Sequence, residues 1–301
     1  MKGAWKDLEQ QVILLISDMR QVYLAELLTK KGYHVRCLDI RNTGILTEQL
    51  KKLGHFLDDA RMLILPIPVS KILDQAVLHE ILNKDLKKET LVFGGCFQEE
   101  QQEIFKRRGI RYLDFMKDVA VAQENAVATA EGVVKELIEH SPYNIEGAKI
   151  IVTGYGNCGM PIASKLRSLG ARVTVLARRR EVRKKAKEDG FYAVDFAFGP
   201  EEAMGAVMLV NTVPAPVVTD LIIKELPGDA YILDIASGSG GTDFACAKEY
   251  GIRAEQALGL PGKYAPKESA YILERAITRF EQKTGCLKEY DEEKVKVKVK
   301  G

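Results

Sequence analysis

The 301-residue chain contains no run of about 18 consecutive apolar residues, so it offers no candidate membrane-spanning helix. Its first ten residues, MKGAWKDLEQ, are polar and do not resemble a signal peptide, which predicts a cytoplasmic protein with no membrane partner. Cysteine is sparse. The five present (Cys37, Cys96, Cys158, Cys246, Cys286) are odd in number and scattered without a C-x-x-C pair, which points to reduced thiols and assigns no metal site. Neither sign of charge is in excess: 44 Lys and Arg against 42 Asp and Glu leave +2, which gives no basic footprint for nucleic acid. Only four histidines occur (His34, His55, His79, His140), and none falls at the C-terminal end of an expected strand, so none is a candidate catalyst.

What is present is a set of apolar, β-branched runs separated by helical patterns, within a chain that is 46% hydrophobic and long enough for two domains. The most informative stretch is Lys149 to Arg180, KIIVTGYGNCGMPIASKLRSLGARVTVLARRR. A buried-strand pattern at Ile150 to Val152 passes into Gly154, Gly156 and Gly159 at G-x-G-x-x-G spacing. A helix follows with Ile162, Ala163, Leu166 and Leu169 on one side, and Val173 to Leu176 reads as a second strand. In such a βαβ unit the glycines permit a tight turn, close approach of a pyrophosphate, and close helix–strand packing. The free N–H groups of Asn157, Cys158 and Gly159 then face the phosphates at the positive end of the helix dipole. Within that loop Cys158 is better explained by packing than by redox chemistry. Where an NAD site carries Asp or Glu, about 20 residues beyond the first glycine, this chain has Ala177 followed by Arg178, Arg179 and Arg180. A guanidinium fork binds a 2′-phosphate bidentately, so the cofactor expected is NADP rather than NAD; the competing reading is a solvated basic start to the next helix.

The first half also opens with a βαβ pattern, strands at Gln11 to Ile16 and Val35 to Leu38 around a helix, but its loop lacks glycines and makes a poor phosphate cradle. Strands at Met62 to Leu65, Thr90 to Phe93 and Tyr112-Leu113 complete an open parallel sheet whose ligands belong at the C-terminal strand ends. There Asp18 is either a helix N-cap or a site residue. Arg20, placed against the dipole of its own helix, is assigned to a substrate carboxylate; Gln21 stands beside them, and Ser70 with Lys71 follows the third strand. Val119 to Glu139 reads as a long helix connecting the domains, closed by Pro142, with Asn125, Thr129 and Gly132 on one face and Glu131 beside it; Glu131 is ordinary surface or site lining. Further strands are expected at Tyr192 to Phe196, Ala206 to Val210, Tyr231 to Ile235 and Ala254 to Ala257. The turn Asn211-Thr212-Val213-Pro214 is placed near the nicotinamide ribose. In the loop Ser237 to Asp243, Gly240 and Gly241 would let the backbone approach a ligand, and Thr242 or Asp243 caps the next helix. Leu258 to Lys267 is expected to be irregular, and a final helix, Ala270 to Phe280, to pack on the first domain.

The fold expected is therefore α/β: two Rossmann-like domains with open parallel sheets, joined by a long helix, with a cleft between them. The boundaries are a substrate domain at 1–118, completed by a helix at 268–285, a connecting helix at 119–141, a cofactor domain at 145–262, and a flexible basic tail at 286–301.

In order, Asp18-x-Arg20-Gln21, Glu131-Gly132, the glycine loop with its arginines, Asn211-Thr212-x-Pro214, Gly240-Gly241-Thr242-Asp243-Phe244 and Gly259-Leu260-Pro261-Gly262-x-x-Ala265-Pro266-Lys267 resemble the A subunit of dipicolinate synthase, over about Gln11 to Arg279. The resemblance implies an NADP-dependent oxidoreductase of spore formation, located in the mother-cell cytoplasm. It would convert a dihydrodipicolinate-level intermediate to pyridine-2,6-dicarboxylate together with a flavoprotein B subunit, and a homo-oligomer is expected. It further implies a site for a small dianionic dicarboxylate at Asp18, Arg20, Gln21, Ser237, Gly240, Gly241 and Thr242. Lys267 and Glu131 are the candidate catalytic groups, Lys267 as a carboxylate anchor or, if desolvated, a base. Two other readings stay open: an NADP-linked dehydrogenase of another small acid, and a non-catalytic NADP-binding regulatory subunit of a flavoprotein.

Overall fold

The computed structural model describes residues 11–40, 57, 60–72 and 75–285; the expected basic tail, Cys286 and His55 lie outside the described residues. The chain forms two compact units, Met1–Val121 with Lys267–Gly301, and Ala122–Pro266.

In the first unit β1 (Gln11–Ile16), α1 (Met19–Lys30), β2 (His34–Asp39), β3 (Met62–Ile64), α2 (Gln75–Lys84), β4 (Leu91–Gly94), α3 (Glu99–Arg108) and β5 (Tyr112–Asp114) alternate along the chain. All strand pairs are parallel, in the order β2-β1-β3-β4-β5. The unbroken apolar run of β1 follows from this arrangement, because both faces of the sheet are covered. Ile13 and Leu15 pack with Leu63, Val92 and Phe105 on one face, whereas Val12 and Leu14 pack with Met62, Ile64 and Phe93 on the other. Strand order reverses between β1 and β3, so the loops after these two strands border the crevice where such sheets bind ligands.

The second unit takes up α4 (Val119–His140) at residue 122 and continues with β6 (Lys149–Thr153), α5 (Gly159–Ser168), β7 (Arg172–Leu176), α6 (Arg180–Glu188), β8 (Tyr192–Val194), α7 (Gly199–Ala203), β9 (Met208–Asn211), α8 (Asp220–Ile223), β10 (Tyr231–Asp234), α9 (Phe244–Glu249), β11 (Arg253–Gln256) and α10 (Leu260–Tyr264). Its parallel sheet runs β11-β10-β9-β6-β7-β8, the order of a classical dinucleotide-binding sheet, with the reversal between β6 and β9. Ala130, Val133 and Leu137 of α4 pack into this unit's core with Ile150 and Val152, so most of the expected connecting helix is a covering layer of the second sheet. Phe196, expected to end a strand, opens a 3-10 turn instead, for which Asp195 accepts a hydrogen bond from the Ala197 amide.

The segment expected to be irregular, Leu258 to Lys267, holds α10 and the start of α11 (Pro266–Lys283). α10 lies close against α4: a Cβ on Gly132 would come within 2.9 Å of the Leu260 Cβ. α11 belongs to the first unit, where Ala270, Leu273 and Ile277 recur at helical spacing and enter the core that contains Val12, Leu14 and Phe93. Its buried Glu281 is compensated by Arg61 at 3.1 Å and the Tyr33 hydroxyl at 2.9 Å.

Candidate functional site

At the β6/β9 reversal a cavity of about 460 Å³ is bounded by Gly154, Gly156, Asn157 and Cys158, by Ala177, Arg178 and Arg179, by Phe196, and by Thr212, Val213 and Pro214. The three glycines do different work. Gly154 has φ of +82°, and a Cβ there would stand 2.6 Å from Thr212 Oγ1. A Cβ on Gly159 would meet the Gly154 carbonyl oxygen at 2.3 Å, so this glycine lets the loop and α5 pack together. Gly156 has open space around its Cβ position and lies on the cavity wall, which is where a pyrophosphate needs room. No side chain caps α5; the Met160 and Ile162 amides are taken by the Gly156 and Cys158 carbonyls and Pro161 has none, which leaves the Gly159 amide for an anion. Burial pushes the Cys158 thiol up, which suits packing rather than thiolate chemistry.

Arg178 and Arg179 are exposed on the cavity wall, and neither guanidinium has a hydrogen bond or ion pair among the described residues. Beside them Ala177 is buried and presents no carboxylate.

Asn211 is fully buried, and its amide is committed to the protein. Its Oδ1 accepts from the Thr153 hydroxyl and from the Val213 amide at 3.0 Å, while Nδ2 donates to Asp234 at 2.9 Å and to the Val213 carbonyl at 3.1 Å. Its side chain therefore shapes the Thr212-Val213-Pro214 wall, the turn placed from sequence near the nicotinamide ribose. Asp234, missed by sequence reading, also accepts from the Ala236 amide at 2.9 Å and the Gly241 amide at 2.8 Å. The double glycine serves this network: a Cβ on Gly240 would stand 2.7 Å from Asp234 Oδ2, and one on Gly241 would stand 2.3 Å from the Val213 and Ala215 carbonyls. Gly240, Gly241 and Thr242 are buried, so in this structure they brace the turn rather than meet a substrate; Ser237 is exposed. Buried Thr242 Oγ1 has no hydrogen-bond partner among the described residues, and Asp243 caps α9.

In the first unit, Asp18, Arg20, Gln21 and Lys71 come together at the C-terminal edge beside the β1/β3 reversal. Asp18 and Gln21 form the capping box of α1. Arg20 grips Asp18 through Nε at 3.1 Å and Nη2 at 2.7 Å and donates to the Ile67 carbonyl at 3.2 Å, so the anion that offsets its position in the first helical turn is Asp18 itself. Lys71 pairs with the same carboxylate at 2.9 Å. Burial opposes ionisation of Asp18, but the hydrogen bonds and charges of Arg20 and Lys71 outweigh it and hold the carboxyl below its ordinary value. Gln21 Nε2 is buried with no hydrogen-bond partner among the described residues.

The two groups named as catalytic are not desolvated. The Glu131 side chain is 57% exposed and pairs with Lys165 at 2.8 Å, the arrangement of an ordinary helix surface. Lys267 is exposed in the first turn of α11 and unpaired among the described residues, which fits an anchoring role and not that of a base.

Two family models match the chain: the N-terminal domain of the dipicolinate synthase A subunit, over residues 17–116, and the NADPH-binding domain of acetohydroxy acid isomeroreductase, over residues 144–238. The dipicolinate synthase A subunit of Bacillus subtilis (strain 168) is 29% identical over 225 residues, 71% of this chain and 76% of that protein. The crystal structure of the dipicolinate synthase A subunit from Bacillus halodurans superposes with a TM-score of 0.76 at 24% identity, covering 90% of this chain and 97% of that one. A transhydrogenase from Sinorhizobium meliloti shares the fold with a TM-score of 0.67 at 14% identity, covering 92% and 94%. With the glycine-loop cavity, these similarities support an oxidoreductase role with a nicotinamide cofactor. Residues 17–116 thus match the N-terminal domain of the A subunit of dipicolinate synthase, and the chain as a whole resembles that protein.

Proposed function

We propose that the chain is the nicotinamide-dependent subunit of a dipicolinate synthase, oxidising a dihydrodipicolinate-level intermediate to pyridine-2,6-dicarboxylate with NADP during spore formation, beside a flavoprotein B subunit. The observation that carries the choice of NADP is the pair of exposed, unpartnered guanidinium groups, Arg178 and Arg179, on the cavity wall where an NAD site would place a carboxylate. The match of residues 144–238 to a domain described as NADPH-binding agrees with it.

The residues present fit the coenzyme. Open space at Gly156 and the Gly159 amide at the start of α5 suit the pyrophosphate, Arg178 and Arg179 the 2′-phosphate, and the Thr212-Val213-Pro214 wall the nicotinamide end. When bound, the nicotinamide supplies a two-electron acceptor for hydride. Arg20 and Lys71 share the single carboxylate of Asp18, which leaves an excess positive charge beside the free Gln21 Nε2 and suits a substrate carboxylate. Lys267, exposed in the same unit, is a second candidate cation for a dianion. Neither Glu131 nor Lys267 is desolvated as a base, which fits a reaction whose proton leaves an acidic ring position as the product becomes aromatic.

The same observation favours a second reading, an NADP-binding regulatory subunit that leaves oxidation to the flavoprotein. A dihydro substrate carrying deuterium at the position that loses hydride separates the two when assayed with the purified chain alone and with the flavoprotein. Deuterium recovered in NADPH, together with pyridine-2,6-dicarboxylate, supports the catalytic reading. Product without deuterium in NADPH supports the regulatory one, and no NADP-dependent product in either assay contradicts both.

A further inference from the structure

The coenzyme reading above rests on two arginines in a turn, and nothing in either guanidinium fixes that turn. The Ala177–Arg179 segment leaves β7 and starts α6 without a side-chain cap. Its carbonyls are held from one turn further along by Arg183, whose Nη1 donates to the Ala177 carbonyl at 2.7 Å and the Arg178 carbonyl at 2.5 Å and pairs with the Asp195 carboxylate. Asp195 in turn accepts from the Ala197 amide at 3.2 Å and so shapes the turn that carries Phe196, which also lines the cavity. Arg183 itself does not line the cavity.

From this geometry we infer that Arg183 is a positioning residue that sets the preference for NADP without touching the coenzyme. It has two effects. First, through the single nitrogen Nη1 it ties the end of β7 to the end of β8, so that Arg178 and Arg179 leave a fixed backbone. Second, it neutralises Asp195. Without it, a carboxylate would stand uncompensated in the turns beside the 2′-phosphate site, lowering affinity for the more anionic NADP and leaving NAD little affected.

Calorimetric titration of the full chain with NADP, NAD and adenosine 2′,5′-bisphosphate tests this, with thermal melts confirming the fold of each variant. Arg183→Gln is expected to raise the Kd for NADP and for the bisphosphate by about tenfold or more while changing that for NAD by less than about twofold. Adding Asp195→Asn to Arg183→Gln should recover part of the NADP affinity, because the uncompensated charge is gone. Should Arg183→Gln not fold, Arg183→Lys carries the same expectation at smaller amplitude, since it keeps the charge but its nitrogen lies one bond short of the Nη1 position. A selective wild-type chain whose Arg183 variants keep the NADP-to-NAD ratio, whether both affinities hold or both fall together, overturns the inference and leaves the coenzyme reading standing. A wild-type chain that binds NAD as tightly as NADP overturns that reading and this inference with it.

Discussion

Gly159 and Gly156 sit in one loop, yet an added methyl meets opposite circumstances at the two positions. At Gly159 it would be forced against the Gly154 carbonyl at 2.3 Å, so Gly159→Ala should destabilise the chain by about 1–3 kcal/mol and abolish dinucleotide binding. At Gly156 nothing lies within 4 Å, so Gly156→Ala should change folding stability by no more than about 0.5 kcal/mol and weaken NADP binding at least tenfold. Urea unfolding and calorimetry on both variants check the contrast; equal effects on stability would contradict it. At the other sheet edge the sign of a titration is testable. Asp18 has its carboxyl held below the ordinary value, so the stability it contributes is complete above the unfolded value, about 3.9, and is lost as pH falls through the lower folded one. Asp18→Asn keeps a capping side chain and removes the charge, so its stability deficit at pH 7 should shrink in unfolding curves recorded below about pH 4. A deficit independent of pH would show that the Arg20 and Lys71 pairs contribute nothing. The glycine spacing was legible because each glycine answers a local steric demand. Asp234 was not, because it closes an ordinary apolar strand and its partner Asn211 lies 23 positions away in sequence.

A five-residue helix has no stability of its own, so α10 must be held by what it touches. Glu136 of α4 is buried and accepts from the Tyr264 hydroxyl at 2.6 Å and Lys263 at 2.7 Å, with His140 at 3.1 Å on its other oxygen. Burial works against this carboxylate, and the hydrogen bonds of Lys263 and Tyr264 outweigh it, so its carboxyl is held below the ordinary value. Because Lys263 is 58% exposed, its share is screened, and Glu136→Gln should cost only about 1–2 kcal/mol. The loss should appear as faster amide exchange in α10, with exchange in β6 unchanged; unchanged exchange in α10 would contradict the anchoring role. No local pattern announced α10, since Pro261 and Gly262 read as loop residues and the tertiary contact at Gly132 that fixes them is remote. α11 was legible because Ala270, Leu273 and Ile277 keep a helical period, although its first turn was hidden by Pro266.

Over the whole chain, alternating strands and helices made two open parallel sheets readable, but strand order depends on crossovers that no local pattern records. That order matters to function. One sheet reverses between β1 and β3, where Asp18 and Lys71 meet, and the other between β6 and β9, where the glycine loop meets Thr212. Coenzyme at 100 times its Kd should stabilise the folded chain by about 2.7 kcal/mol. Its protection against amide exchange should fall on Gly154 to Cys158 and Ala177 to Arg179, reaching Ser17 to Gln21 only when pyridine-2,6-dicarboxylate is added; protection of the latter by NADP alone would contradict the assignment of roles. The most direct measurement is calorimetric titration of the purified wild-type chain and Arg179→Ala with NADP and with NAD. The wild type should bind NADP at least tenfold more tightly than NAD, and Arg179→Ala should narrow the gap by weakening NADP alone; equal affinity of the wild type for both, or no binding of either, would contradict the assignment of this cavity to NADP.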